Sequence, residues 1–196
     1  MKISVIFATS NDNVIGVNNK LPWETKFDLE HFRYRTFGKI VIMGRKTWES
    51  LDGVILDGRT VVVISKSLSE NRSSNQVFVK DHYVFPSLLK AIDTFHQLGH
   101  SECCIVGGKK LIEEGIELAD KVIFTIIDQY LGDKKEDIVQ LDICSSFISK
   151  DKIRMHVNGK DNFFNVKSTV SFNEETRNKP PIKGGIYYLE RLKISE

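Results

Sequence analysis

The 196 residues carry 28 basic and 26 acidic side chains, a formal net charge of +2, and are 41% hydrophobic. So even a balance excludes a nucleic-acid binder recognised by bulk charge, and no apolar run reaches the ~18 residues that cross a bilayer. Three cysteines, two of them adjacent (Cys103, Cys104), show no metal-ligand spacing and no disulfide framework, so no metal is expected. The length suits one domain, 1–196, without a convincing internal boundary.

Residues 2–8 (KISVIFA) form a short apolar run that fits a buried strand and is too short for a signal segment, which places the protein in the cytoplasm. Residues 9–24 are rich in Asn, Asp and Gly and have no periodic pattern. A structureless connection of that length in a compact domain is usually functional. A helix follows, with Thr25 as its N-cap and Leu29 and Phe32 on its apolar side. Asp28 stands three residues after Thr25, the capping-box spacing. It reads equally as a cap and as an acid that binds a cationic or amidine-like group among apolar neighbours.

KIVIM (39–43), GRKTWESL (44–51) and TVVVIS (60–65) read as strand, helix, strand. Both strands are unbroken apolar runs, as in a parallel sheet covered on both faces. A weaker strand at 76–80 precedes a helix opened by Pro86 and closed by Gly99. ECCIVGG (102–108) is another buried strand, KKLIEEGIELAD a helix and KVIFTIID (121–128) a further strand. This alternation makes the first two-thirds α/β with a mainly parallel sheet. Residues 129–162 read as polar and irregular, and the charge run 133–137 as solvated surface. FFNVKSTVSF (163–172) and IYYLERLK (186–193) read as an antiparallel pair that finishes the sheet.

Two turns at strand ends are candidate anion sites. Gly44-Arg45-Lys46-Thr47 starts a helix directly after a strand, where free N–H groups and the helix dipole favour an anion. Gly107-Gly108 lets a backbone approach a pyrophosphate closely, although a plain tight turn is the more frequent explanation of such a pair taken alone. Ser65 and Lys66, with Arg45 near, suit a 2′-phosphate better than a free diol. NADPH is therefore the expected dinucleotide.

Ala8 with Ile15-Gly16 and Leu21-Pro22-Trp23, then Asp28-Leu29 with Phe32, VIMGRKTWESL (41–51), Gly58-Arg59, IVGG (105–108) and YYLERL (187–192) together resemble dihydrofolate reductase. The resemblance implies that family's fold, a central, mainly parallel eight-stranded sheet flanked by helices, with the antiparallel pair at its C-terminal end. It implies reduction of dihydrofolate to tetrahydrofolate by hydride transfer from NADPH, supplying one-carbon metabolism and thymidylate synthesis, in a monomer without nucleic-acid or membrane partners. Segment 9–24 would be the lid over the nicotinamide.

By the same resemblance, Asp28, Trp23 and Leu21 are the catalytic positions, with Asp28 binding the pterin and Thr125 hydrogen-bonding Asp28. Ile6, Phe7 and Ala8 would floor the pocket, and Leu29 and Phe32 would pack on the substrate. Leu56 would line the aminobenzoyl site and Arg59 pair with the α-carboxylate. Ala8, Ile15 and Gly16 would touch the nicotinamide end. Gly44, Arg45, Lys46, Thr47, Ser65 and Lys66 would hold cofactor, as would Val106, Gly107, Gly108, Lys109, Lys110 and Leu111.

The sequence departs from the family pattern in three places. Ile112 stands where many members have a tyrosine, Asp57 where proline is usual, and 129–162 is an extended insertion. A pyrimidine reductase of riboflavin synthesis would share the fold and NADPH, but not Trp23 with Asp28. A non-catalytic folate- or NADPH-binding module draws support only from the lost tyrosine.

Overall fold

The computed structural model describes residues 1–52, 54, 56–70, 77–79, 82–132, 137–176 and 179–192, the side chains of 70, 77–79 and 179 excepted. In chain order the elements are β1 (Lys2–Ser10), β2 (Val14–Val17), α1 (Lys26–Thr36), β3 (Ile40–Gly44), α2 (Arg45–Glu49), β4 (Thr60–Ile64), α3 (Lys66–Glu70), β5 (Val77–Val79), β6 (His82–Phe85), α4 (Leu88–Gln97), β7 (Glu102–Gly107), α5 (Lys109–Leu118), β8 (Lys121–Ile127), β9 (Ile138–Gln140), β10 (Ile143–Ser149), β11 (Lys152–Val157), β12 (Lys160–Thr176) and β13 (Lys179–Arg191).

Among the described residues one sheet of eleven strands runs in the order β10-β11-β12-β13-β8-β1-β7-β3-β4-β6-β5. The expectation of eight strands was short. Its centre, β8 through β6, is parallel. The strands there are apolar on both sides because helices and loops cover both faces. Everything beyond β8 on one side is antiparallel, as is β5 on the other. The insertion accounts for most of the excess, since β10 and β11 continue the sheet outward from β12. Residues 138–162 are therefore largely regular. Ile143, Ile153, Met155 and Val157 are buried at alternate positions between polar neighbours, a period-2 pattern diluted by Ser and Lys.

Side chains alternate across the strands, so each face has its own core. On one face α4 and α5 lie over Val5, Ile40, Ile42, Val62, Ile105 and Phe124. On the other, Ile6, Cys104, Ile123 and Ile186 meet Phe32 of α1, with Val106, Phe172 and Tyr188. Segment 9–24 is not structureless either. β1 continues to Ser10, and β2 pairs antiparallel with β9, Val17 opposite Ile138. Two irregular-looking segments thus give each other regular structure. Residues 133–136 of the charge run 133–137 lie outside the described residues.

Candidate active site

Asp28 occupies the first turn of α1, and Thr25 is the N-cap, its hydroxyl accepting from the Asp28 N–H at 3.3 Å. The capping box is half made. The Asp28 carboxylate faces the sheet instead, where Oδ1 accepts from Thr125 Oγ1 of β8 at 2.6 Å. Among the described residues Oδ2 accepts no bond. Burial raises the Asp28 pKa, with the Thr125 bond opposing it. A carboxylate held in apolar surroundings with one oxygen uncommitted can receive a pair of N–H donors.

The face it points to is decided by register. Ala8 pairs with Thr125 and Phe7 with Phe124, so Ile6, Ala8 and Thr125 share the Asp28 face, along with Val106 and Phe32. Phe7 does not. Its ring stacks on Phe124 at 5.8 Å, on the opposite face with Tyr187. The expectation that the Phe7 side chain floors the pocket fails because neighbouring residues of a strand point to opposite sides.

Trp23 is buried with Val14, Ile127, Leu131 and Ile182, and its indole Nε1 has no partner among the described residues. Leu21 and Leu29 are exposed, at 60% and 65%. Leu56 is half-buried in segment 52–58, of which residues 53 and 55 lie outside the described set.

Arg59 lies beside the end of α1. Its Nη1 donates to Thr36 Oγ1 at 3.3 Å, while its Nε is buried without a partner among the described residues. Burial and the nearby Arg33 hold its pKa down. A buried guanidinium edge beside a second cation is matched by an anion, and a planar carboxylate fits best. Gly58 (φ 69°) allows the approach, since a Cβ there would come within 2.5 Å of the Phe37 ring.

The anion platform is built from adjacent strands, because β7, β3 and β4 are neighbours. Their carboxyl ends bring Gly107-Gly108, Gly44 through Thr47, and Ser65-Lys66 to one edge. Gly108 precedes α5 and Gly44 precedes α2, and neither helix start has a side-chain cap. A Cβ on Gly108 would stand 3.1 Å from Thr47 Oγ1. The Gly107–Gly108 peptide is cis.

Several expected cofactor residues have other work in this structure. Arg45 pairs with Glu49 at 2.7 Å. Lys109 bonds Asp142 at 2.6 Å. Ser65 is buried, with Oγ accepting the Leu68 N–H, whereas Lys66 is exposed. Leu111 is buried and would lie 3.8 Å from a Cβ on Gly44, and Lys110 is exposed. Ile112, in place of the family's tyrosine, is 2% exposed in the α5 core.

The segment expected to be the lid carries Ile15 and Gly16 on β2 and is fastened at its base. Asp12 accepts from the Leu131 and Gly132 N–H groups, and Leu141 N donates to Asn13 O. Ile15 packs toward the main core.

Sequence reasoning missed Glu174. Its carboxylate accepts from Lys26 N at 3.1 Å, Phe27 N at 3.1 Å and Thr25 Oγ1 at 2.8 Å, all at the start of α1. Only an alternating strand extended past residue 172 would have pointed to it, and the sequence there reads as linker.

A family profile described as dihydrofolate reductase matches residues 2–163. The dihydrofolate reductase of Haemophilus influenzae is 40% identical over 131 residues, covering 67% of this chain and 75% of that one. That of Buchnera aphidicola subsp. Baizongia pistaciae is 38% identical over 134 residues, covering 68% and 76%. The bifunctional dihydrofolate reductase-thymidylate synthase of Paramecium tetraurelia is 42% identical over 113 residues, but this chain spans only 22% of it. Among solved structures, dihydrofolate reductase from Enterococcus faecalis complexed with NADP(H) superimposes with a TM-score of 0.69 at 20% identity, covering 98% of this chain and 97% of that one.

Proposed function

Because this chain belongs to the dihydrofolate reductase family, we infer that it reduces 7,8-dihydrofolate to 5,6,7,8-tetrahydrofolate with NADPH. The observation that carries this reading is Asp28: a partly buried carboxylate, tied through one oxygen to Thr125, with the other uncommitted. It suits the adjacent N–H donors of a pterin ring. Charge-assisted bonds of that kind contribute roughly 1.5–3 kcal/mol each.

Asp28 binds and orients the pterin, and its raised pKa makes it a reservoir that favours a protonated ring. Trp23, its indole N–H without a partner among the described residues, offers a donor for a water. Phe32, Ile6 and Ala8 supply apolar walls. Arg59 suits the α-carboxylate, because its buried Nε has no partner among the described residues.

The platform fits a dinucleotide on two grounds. The N–H groups at the start of α5 have no side-chain cap, and Gly108 leaves the space a Cβ would fill beside Thr47. Gly107, Gly108, Thr47 and Lys66 are the residues assigned to hold NADPH, with Lys46 and Arg45 at the rim. NADPH supplies the hydride when bound. The lid strand β2, latched to β9, excludes bulk water above the site.

The chain is read as one domain acting as a cytoplasmic monomer. No helix among the described residues is long and apolar enough to cross a membrane. The test is loss of NADPH absorbance on adding dihydrofolate. Oxidation that requires dihydrofolate is the expected result, and NADPH binding without oxidation would overturn the reading.

A further inference from the structure

We infer that Glu174 is a positioning residue for Asp28: it satisfies the start of α1 from the far strand β12, and so releases the Asp28 carboxylate to the substrate. The inference rests on the proposed reductase activity.

The first N–H groups of a helix have no intrahelical acceptor. An acid three residues after a Thr cap is ordinarily drawn back to supply one. Here the next two N–H groups of the helix start, and the hydroxyl of the cap itself, are satisfied from outside the helix. Glu174 Oε1 takes the Lys26 N–H and Oε2 takes the Phe27 N–H. Oε2 also accepts the Thr25 hydroxyl, which in turn accepts the Asp28 N–H. Thr25, 8% exposed, is thus a relay between the two acids. These bonds hold the Glu174 carboxyl below its usual range, the Phe27 and Thr25 donors contributing most.

Strand alternation supplies a second tie. Phe172 lies two residues before Glu174, on the same side of β12, and stacks on Phe27 at 4.9 Å. Phe172 pairs with Gly184 of β13, and Gly184 pairs with Ile127 of β8. The ring can lie there because a Cβ on Gly184 would stand 2.7 Å from it. β8 also carries Thr125, the partner of Asp28. The helix start and the Thr125 hydroxyl are therefore referenced to the same strand, one through Glu174 and Phe172, the other directly. Without Glu174, the freed N–H groups compete for the Asp28 carboxylate.

The experiment compares wild type, Glu174→Ala and Glu174→Gln in steady-state kinetics, with amide hydrogen exchange on the same proteins. Glu174→Ala is expected to raise the KM for dihydrofolate about tenfold, the size of one charged bond lost, with the KM for NADPH within about twofold. Glu174→Gln keeps one carbonyl acceptor and should fall between. Exchange should accelerate at Lys26 and Phe27 in the alanine variant. An unchanged dihydrofolate KM would overturn the assignment, as would parallel rises in both KM values, which mark a merely structural role. A wild type that does not oxidise NADPH with dihydrofolate overturns the proposed function and this role together. Normal wild-type turnover with unaffected variants overturns this role alone.

Discussion

The strand ends proposed to hold the cofactor and the surroundings of Asp28 proposed to hold the substrate are built in different ways. At β7, β3 and β4 the machinery is local. Glycines and a hydroxyl sit in turns directly after strands, and the chain needs only to place three neighbouring strand ends side by side. On the substrate side the machinery is long-range. Asp28 meets Thr125 across 97 positions, and Glu174 meets Lys26 across 148. A binding surface made of backbone tolerates side-chain change until something fills its space. A site made of paired side chains depends on the register of every strand between them.

The largest separation of the two sides should come from Asp28→Asn. It removes the acceptor charge and costs roughly 1.5–3 kcal/mol per lost bond, so turnover of dihydrofolate near neutral pH should fall about 10- to 150-fold per bond. The NADPH Kd should stay within about twofold, checked by fluorescence titration.

The same substitution should stabilise the fold. Asp28 has a folded pKa above its ordinary 3.8, so the native state binds the extra proton. Wild-type stability from this group is fully present below 3.8 and is lost as pH rises through the higher folded value. Thermal melts should therefore show the variant above wild type at pH 7, with the gap closing as pH falls toward 3.8. A gap that widens on acidification would remove the desolvation argument.

Thr125→Val leaves the acid in place but takes its neutral partner. A loss of about tenfold in kcat/KM for dihydrofolate is expected, from roughly 1–2 kcal/mol.

Gly108→Ala tests the other side. Its Cβ would crowd Thr47 Oγ1 at 3.1 Å, so NADPH affinity should drop several-fold, roughly 1 kcal/mol of overpacking, with dihydrofolate affinity little changed in binding assays. Equal losses for both ligands would show that the two sides are not separable.

The smallest effect belongs to Asp142→Asn. It breaks the pair with Lys109, whose partners are 33% and 81% exposed. Such a pair contributes at most about 1 kcal/mol. Turnover and the melting curve should both stay near wild type, and a large change in either would make this ion pair part of the lid.

The positions of α5, β7 and β8 were legible because each is a compact apolar run or stripe, and α1 was legible from its Thr25 cap. Thr25 as N-cap and the two glycine turns were equally so. β10 and β11 were not, since their outward residues are Ser, Lys and Arg, and only the shared sheet reveals which alternate positions are buried. β2 and β9 have too few residues to declare themselves. Each becomes a strand only by pairing with the other. Phe7 was misplaced for a related reason: an apolar run names no face, and the face follows from what packs on it.

The sequence by itself determined the family and the local elements that present the proposed site, because strand-end turns, helix caps and the Trp23–Asp28 spacing are local chemistry. It left Asp28 divided between capping its own helix and serving a ligand. The tertiary structure shows the carboxylate turned to Thr125 and not back to its own helix start. A helix start needs acceptors, and any carboxylate within reach can provide them. Glu174 reaches it because β12 folds back beside β13 and β8, an arrangement that no property of residues 25–28 encodes.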